Sequence, residues 1–313
     1  MIYWARAMSI IDLFKKRKAA LSSEERHAVI VERLRNEEDW IPVIQDLFSG
    51  KYEPDVVDTN IWIWDYEGIF EKAYRAVSPL PESRQRLRNA VLVLLDAGKE
   101  WYRLAAQDFA KQFAISEAKP RLLELINSKS VRPFQANGSS MFANTSETEL
   151  SNIAVAIEGL NGAQAIEPIL RQWLDSFLKD AAPAFQQWNG LRRRKKDELH
   201  NYRELATTSL QILSRRDPNF GMQRLRDLCE LGSPIHQWCC RLGGEQARKD
   251  VVACKWVERA FYGGFLDKLN YEETQELANK YFEGLPSEKM EMIHASLGAA
   301  HRNKQILEKT RKA

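Results

Sequence analysis

The fold is decided by two consecutive stretches, Tyr102-Arg103-Leu104-Ala105-Ala106-Gln107-Asp108-Phe109-Ala110-Lys111-Gln112-Phe113 and Ala118-Lys119-Pro120-Arg121-Leu122-Leu123-Glu124-Leu125-Ile126. In both, apolar residues recur three and four positions apart, which places them on one face of an α-helix. The small inner residues Ala106 and Ala110 allow a neighbouring helix to approach closely, while the larger aliphatic residues of the second stretch fill the space between helix axes. The two stretches therefore predict a helical hairpin.

The same pattern recurs 47 residues further along the chain. In the first helix, the corresponding pairs are Ala106 and Ile153, Ala110 and Ile157, and Phe113 and Leu160. In the second helix, they are Ala118 and Ala165, Leu122 and Ile169, Leu123 and Leu170, and Ile126 and Trp173. A third copy starts 100 residues after the first, where Tyr202-Arg203 matches Tyr102-Arg103. Its inner positions are Ala206, Leu210 and Leu213, and its second helix starts at Asp217-Pro218 and carries Leu225 and Leu228.

This pattern of Tyr/Arg-x-x-Ala…Phe/Leu, a short polar link and a second aliphatic helix resembles the HEAT-repeat family of α-solenoids. The resemblance covers about residues 85–230, and its spacings of 47 and 53 residues lie at or beyond the long end of the usual ~40–47. It implies stacked helix pairs that present a long curved surface to a binding partner. An irregular helical bundle is the alternative.

Helix-start signals recur along the chain. Ser22-Ser23-Glu24-Glu25 predicts a capping box and a helix of about 13 residues, and Pro81 starts another helix for which Gly98 is the predicted left-handed C-cap. Residues 60–64 alternate as a short strand would, and they also suit a helix start. The periodic segments predict an all-α fold, an α-solenoid of antiparallel helix pairs with about 14–15 helices.

Three regions follow from these patterns. A helical capping region is predicted over residues 1–80, and HEAT-like repeats over residues 81–230, with an inserted Ser/Asn-rich loop at 127–149. A helical region over residues 231–313 is expected to continue the array, with a separate helical cap as the alternative.

Composition limits the classes of function. The chain has 46 Lys+Arg against 43 Asp+Glu, a net charge of +3, so a nucleic-acid role would depend on a local patch. The longest aliphatic run, residues 91–95, is far shorter than the ~20 residues that span a bilayer, so no membrane partner is predicted. A signal-like N-terminus is missing and the four Cys lie close together, which favours a cytoplasmic location.

The strongest charged feature is Arg192-Arg193-Arg194-Lys195-Lys196. These five like charges repel one another unless they are solvated or paired with an anion. The run suits a solvated helix face, a phosphate contact or an acidic protein partner. Arg84, Arg86, Arg88 and Arg203 could extend a basic stripe along a concave surface.

The aromatic residues of the N-terminal third concentrate in Trp62-Ile63-Trp64-Asp65-Tyr66 and Trp101-Tyr102. A core or capping layer is one interpretation and a partner-binding patch is the other. Some HEAT-like proteins are DNA glycosylases that surround a damaged nucleotide with Trp, Arg and a carboxylate. Trp64-Asp65, Trp101 and Arg103 supply those residue types, without a spacing that matches that family.

One group of residues has metal-ligand chemistry. His236, Cys239 and Cys240 lie at i, i+3 and i+4 on a predicted helix, with Cys229 and Cys254 nearby. The spacing matches no standard zinc finger, and apolar neighbours indicate buried thiols. We therefore expect core cysteines, no metal and no cofactor, with a zinc site as the weaker alternative.

The predicted function is that of a non-catalytic scaffold or adaptor that binds a protein partner along the concave face of the solenoid. Nucleic-acid binding, including a glycosylase-like activity, is the alternative. The pattern favours a non-enzymatic role and leaves the oligomeric state open.

Overall fold

The computed structural model describes residues 22–49, 63–128, 147–181, 193–230 and 255–312. Within these ranges the chain is helical and contains no strand, so the all-α prediction is confirmed there. The α-helices are α1 (Ser23–Asn36), α2 (Ile41–Phe48), α3 (Ile63–Val77), α4 (Ser83–Leu94), α5 (Glu100–Gln112), α6 (Lys119–Ser128), α7 (Glu147–Gly159), α8 (Ala163–Ser176), α9 (Arg193–Arg216), α10 (Pro218–Glu230), α11 (Lys255–Gly263), α12 (Tyr271–Phe282) and α13 (Ser287–Lys312). Short 3-10 turns lie at Ser116–Ala118 and Phe265–Asp267, and a π turn at Phe177–Ala181. Among the described helices, none is long and apolar enough to cross a bilayer.

In the described part of the chain, α1 and α12 begin with a complete capping box. Before α1, Ser22 Oγ accepts a hydrogen bond from the Glu25 amide at 3.2 Å, and the Glu25 carboxylate accepts one from the Ser22 amide at 2.7 Å. The hydrogen bond from the Ser22 backbone lowers the pKa of Glu25. Asn270 and Glu273 form the same arrangement before α12. The capping box predicted at Ser22 is confirmed.

The prediction of a left-handed cap at Gly98 is wrong. Helix α4 already ends at Leu94, and Gly98 is not among the described residues with positive φ. The left-handed non-glycine residues are Ala114 (φ 49°) after α5 and Asn161 (φ 58°) after α7. Each lies in a Schellman motif, in which the next amide donates back to a carbonyl five residues earlier, from Ile115 to Ala110 at 2.9 Å and from Gly162 to Ile157 at 2.8 Å.

The chain divides into two compact units, Met1–Leu122 and Leu123–Ala313, and the boundary falls within α6. In the first unit, α1 packs on α3, α4 packs on α5, and α2 contacts α3, α4 and α5. Its core is aromatic: the Phe70 ring stacks on Phe109 with centroids 4.5 Å apart, and Phe48 meets Phe109 edge-on at 6.0 Å. Trp40 is buried and donates from Nε1 to the Leu34 carbonyl at 3.0 Å.

The second unit contains two successive helical hairpins, α7/α8 and α9/α10, followed by α11 and α12, which do not pack closely on each other. Helix α9 contacts both α7 and α11, so these three helices form one row. In the second row, α10 contacts α12 and is joined to α8 by an ion pair between Arg224 and Asp175. Helix α13 packs on α11 and α12 at the end of the unit.

Most predicted inner positions are buried. In the first helices of the three copies, every inner residue is buried except Phe113, which is half-buried. The register of the second helix in the second copy is wrong: Ala165 is exposed and Ile169 is half-buried, while Ile166 is buried beside Leu170 and Trp173. The boundaries proposed at 80/81 and 230/231 stay predictions.

Candidate partner-binding surface

Two guanidinium groups, one from α8 and one from α10, lie near the same aromatic ring, that of Phe220. Arg171 Cζ on α8 lies 3.9 Å from the centroid of the Phe220 ring, and Arg224 Cζ on α10 lies 5.3 Å from it. Such cation–π contacts contribute about 0.5–1 kcal/mol at exposed sites and more when desolvated. Phe220 is half-buried, so part of its ring remains accessible to solvent.

Carboxylates surround this aromatic residue. Glu167 accepts from Arg171 at 2.7 Å and pairs with Arg216 at 3.4 Å, while Asp175 and Asp227 each pair with Arg224 at 3.1 Å. Cations and anions are thus interspersed around one ring. We call this set the α8–α10 surface; its members are Glu167, Arg171, Asp175, Arg216, Phe220, Arg224 and Asp227.

An open cavity of about 360 Å³ lies between the start of α10 and one face of α12. Its apolar lining comes from Pro218, Leu269 and Leu277. Its polar lining comes from Asn219, Glu273, Glu276 and Lys280. Tyr281 Oη donates to Asn219 Oδ1 at 3.0 Å and holds the two helices together beside it. We call this cavity the α12 groove.

Trp101 and Arg103 lie at the start of α5 and have different environments. The Trp101 side chain is 57% exposed, so it is not part of the aromatic core. Arg103 donates to the carbonyls of Ala97 and Gly98 at 2.8 and 3.2 Å and closes the turn between α4 and α5. Arg103 therefore has a structural role, while Trp101 remains open to a partner.

The arginines proposed as a basic stripe on α4 bind within the first unit. Arg84 donates to the carbonyls of Phe113 and Ala114 at 3.4 and 3.3 Å, and Arg86 donates to the carbonyl of Glu37 at 3.1 Å. Arg88 pairs with Glu117 at 3.2 Å. Carbonyls after a helix lack intrahelical partners and carry partial negative charge, so guanidinium groups are attracted to them. These arginines satisfy backbone and carboxylate acceptors, which the sequence prediction did not anticipate.

Several predicted residues fall outside the described part of the chain. These are Trp62, Arg192, His236, Cys239, Cys240, Cys254 and most of the loop at 127–149. For others the structure describes the helix but not the side chain: Trp64 on α3, Arg193, Arg194, Lys195, Lys196 and Arg203 on α9, and Cys229 on α10. Among the described residues, no three His, Cys, Asp or Glu side chains are grouped as metal ligands.

Sequence reasoning missed the α8–α10 surface. Phe220 and Arg224 lie four residues apart, a spacing that places both on one helix face and could have indicated their contact. Arg171 comes from another hairpin, 49 residues earlier in the chain, and no local pattern connects it to Phe220. Comparison of the chain with protein-family models, curated proteins and solved structures finds no match.

Proposed function

We propose that this chain is a non-catalytic α-solenoid of the HEAT-like type that binds a protein partner across its repeated helices. The observation that carries the proposal is the order of the helices in the second unit: the α7/α8 and α9/α10 hairpins are adjacent, and α9 and α10 contact the next two helices, α11 and α12, in the same order. Stacked hairpins of this kind offer an extended surface built from equivalent positions.

The backbone supplies a second argument for a repeat. Ala114 and Asn161, the left-handed residues of the two Schellman motifs, are 47 residues apart, which is the offset between the first two predicted copies. A left-handed conformation is unfavourable for a residue with a side chain. Its occurrence at equivalent positions of both copies supports a common structural unit.

Within this function, the α8–α10 surface is the proposed contact region. Arginine and aromatic residues are the types that contribute most to protein–protein affinity. The interspersed charges favour a protein partner with a complementary pattern over a uniformly charged polymer. Trp101 offers a second exposed aromatic on the first unit.

The test is a quantitative affinity purification from native cell extract with the wild type, the variant Arg171→Ala/Phe220→Ala, and Lys72→Ala as a control at an exposed position of α3. We expect one protein to be recovered in near-stoichiometric amount by the wild type and the control and to be lost with the double variant. Calorimetry with the purified partner then measures the affinity of the double variant, for which we expect Kd to rise by more than about tenfold. Equal recovery by all three folded proteins contradicts the proposed surface.

A second candidate function, nucleic-acid binding, is favoured by the start of α9. Its first turn contains Arg193, Arg194, Lys195 and Lys196 in the sequence and no acidic residue. The N-terminal end of a helix carries partial positive charge, so cations there are unfavourable unless an anion neutralises them. Binding of a fluorescent DNA duplex that weakens steeply with added salt, and that is lost when these four residues become Gln, would support this function. Failure to bind at low salt eliminates it.

A further inference from the structure

The last helix extends beyond the body of the second unit. Helix α13 has 26 residues, which corresponds to about 39 Å. Its buried residues end at Ala300, and residues 305–310 are all exposed. Ile306 is 63% exposed and Leu307 is 38% exposed, which are unusual values for aliphatic residues on a helix that is otherwise packed.

These two aliphatic residues continue the packed face of α13. Ile306 and Leu307 lie seven residues after Ala299 and Ala300, which are buried. Seven residues make about two helical turns, so both pairs lie on the same side of the helix. No other described element covers this extension of the packed face.

The charge around the extension limits what can bind there. Residues 302–312 include five Lys or Arg and one Glu. Arg302 and Lys309 are exposed beside Ile306, and Lys304 pairs with Asp267 at 3.6 Å. Two such basic helices would repel each other, so symmetric pairing of α13 with α13 is disfavoured.

The α12 groove of the same chain is acidic and partly apolar. In the α12 groove, Glu273 and Glu276 are exposed beside the half-buried Leu269 and Leu277. Glu272 adds a third exposed carboxylate on the first turn of α12. Lys280 also lines the groove, but its single charge is outnumbered by those of Glu273 and Glu276. The groove therefore offers carboxylates for the cations of α13 and aliphatic side chains for Ile306 and Leu307.

The end of α13 cannot enter the groove of its own molecule. The His301 ring lies 4.5 Å from the Tyr271 ring, so α13 passes the first residue of α12 at that point. As a continuous helix, residues 302–312 then run on past the end of α12 instead of turning back along it. A basic helix end with exposed aliphatic residues, if it binds the α12 groove, must therefore come from another molecule.

We propose that the C-terminal turns of α13 in one molecule bind the α12 groove of a second copy of this chain. Such a contact joins two different surfaces, so it links copies head to tail. Because the buried area is confined to a few turns of one helix, we expect weak and salt-sensitive association. This inference concerns self-association and does not depend on the proposed protein partner.

Sedimentation velocity at increasing concentrations of the full chain tests the proposal. We expect reversible association that weakens at least about fivefold with Lys309→Glu and with Glu276→Lys. Mixing these two variants should restore association to within about threefold of the wild type, because the unaltered α13 of Glu276→Lys then meets the unaltered groove of Lys309→Glu, and the two altered surfaces are again opposite in charge. Lys72→Glu makes the same change in net charge as Lys309→Glu, but on the first unit, and should leave association unchanged.

Two further variants separate the apolar contact from charge. Ile306→Asn should abolish association, whereas Gln305→Ala, on the opposite side of α13, should preserve it; circular dichroism confirms that both are folded. A chain that stays monomeric at every concentration overturns the proposal. So does association that Ile306→Asn leaves intact, or a mixture of the two charge variants that associates no better than either alone.

Discussion

Arg215 on α9 donates from Nε to a carboxylate oxygen of Glu158 on α7 at 2.7 Å. The same guanidinium donates to the Gly263 carbonyl at the end of α11 and lies 3.4 Å from Asp267 in the turn that follows. One side chain therefore joins α9 to α7 and to the end of α11. Only 18% of the Arg215 side chain and 21% of the Glu158 side chain is exposed, so water screens this pair incompletely.

Replacing Arg215 should destabilise the second unit. Arg215→Met keeps much of the aliphatic length but leaves Glu158 and the Gly263 carbonyl without their cation. We expect the free energy of unfolding in urea to fall by about 2–3 kcal/mol. The control is Arg75→Met, because the Arg75 side chain is 76% exposed where it pairs with Glu71. This variant should lose less than about 0.5 kcal/mol. Similar losses in both variants would show that the Arg215 contacts contribute no more than a surface ion pair.

The features that could be predicted from the sequence are local ones. The capping box at Ser22, the start of α10 at Asp217-Pro218 and the hairpin pattern each depend on residues within one or two helical turns. The first two are present in the structure, and of the predicted helix pairs α7/α8 and α9/α10 pack as hairpins. The buried face of each helix could be predicted for the same reason, because the helical spacing of apolar residues indicates which face is apolar.

The features that could not be predicted depend on distant parts of the chain. The sequence suggests a basic stripe that Arg84 could extend, but Arg84 binds carbonyls at Phe113 and Ala114, about 30 residues away. Arg171 reaches Phe220 only because the fold brings α8 beside α10. Gly98 had the expected residue type for a helix end, yet the left-handed conformation occurs at Ala114 and Asn161, where Schellman hydrogen bonds stabilise it. Residue type alone indicates none of these contacts.

Gly221 allows the close approach of α10 to α9. A Cβ atom at Gly221 would lie 2.2 Å from Ser214 Oγ and 2.9 Å from Ser214 Cα, so backbone would have to move. We expect Gly221→Ala to lower the free energy of unfolding by about 1–3 kcal/mol, although alanine is the better helix former.

Gly298 provides the matched comparison in the same unit. It lies inside α13, and its nearest neighbour to an added Cβ is the flexible end of Arg302 at 3.5 Å. Gly298→Ala should therefore raise stability by up to about 1 kcal/mol. Denaturant melts of both variants measure the effects, and stabilisation by Gly221→Ala would show that the two helices tolerate a wider separation.

Ala114 adopts a left-handed conformation that costs an alanine about 1–2 kcal/mol. Ala114→Gly should relieve this cost and raise the melting temperature, with a gain reduced to about 0.5–1 kcal/mol because glycine adds freedom to the unfolded chain. At the equivalent position of the next copy, Asn161→Ala should do the reverse, since asparagine tolerates this region better than alanine. Differential scanning calorimetry distinguishes the two directions, and changes of the same sign would contradict equivalent roles for the two positions.

Gln107 on α5 is completely buried, and neither Oε1 nor Nε2 has a hydrogen-bond partner among the described residues. Burying an amide without partners costs roughly 1–3 kcal/mol, because water bonded to it in the unfolded chain. A methionine side chain is similar in shape to glutamine and needs no hydrogen-bond partners. We therefore expect Gln107→Met to raise the free energy of unfolding by about 1–2 kcal/mol. Gln85→Met on the exposed face of α4 is the control and should change stability by less than about 0.5 kcal/mol. A loss of stability in Gln107→Met would mean that this amide makes hydrogen bonds in solution, and that α5 is held by a polar contact at the centre of its buried face.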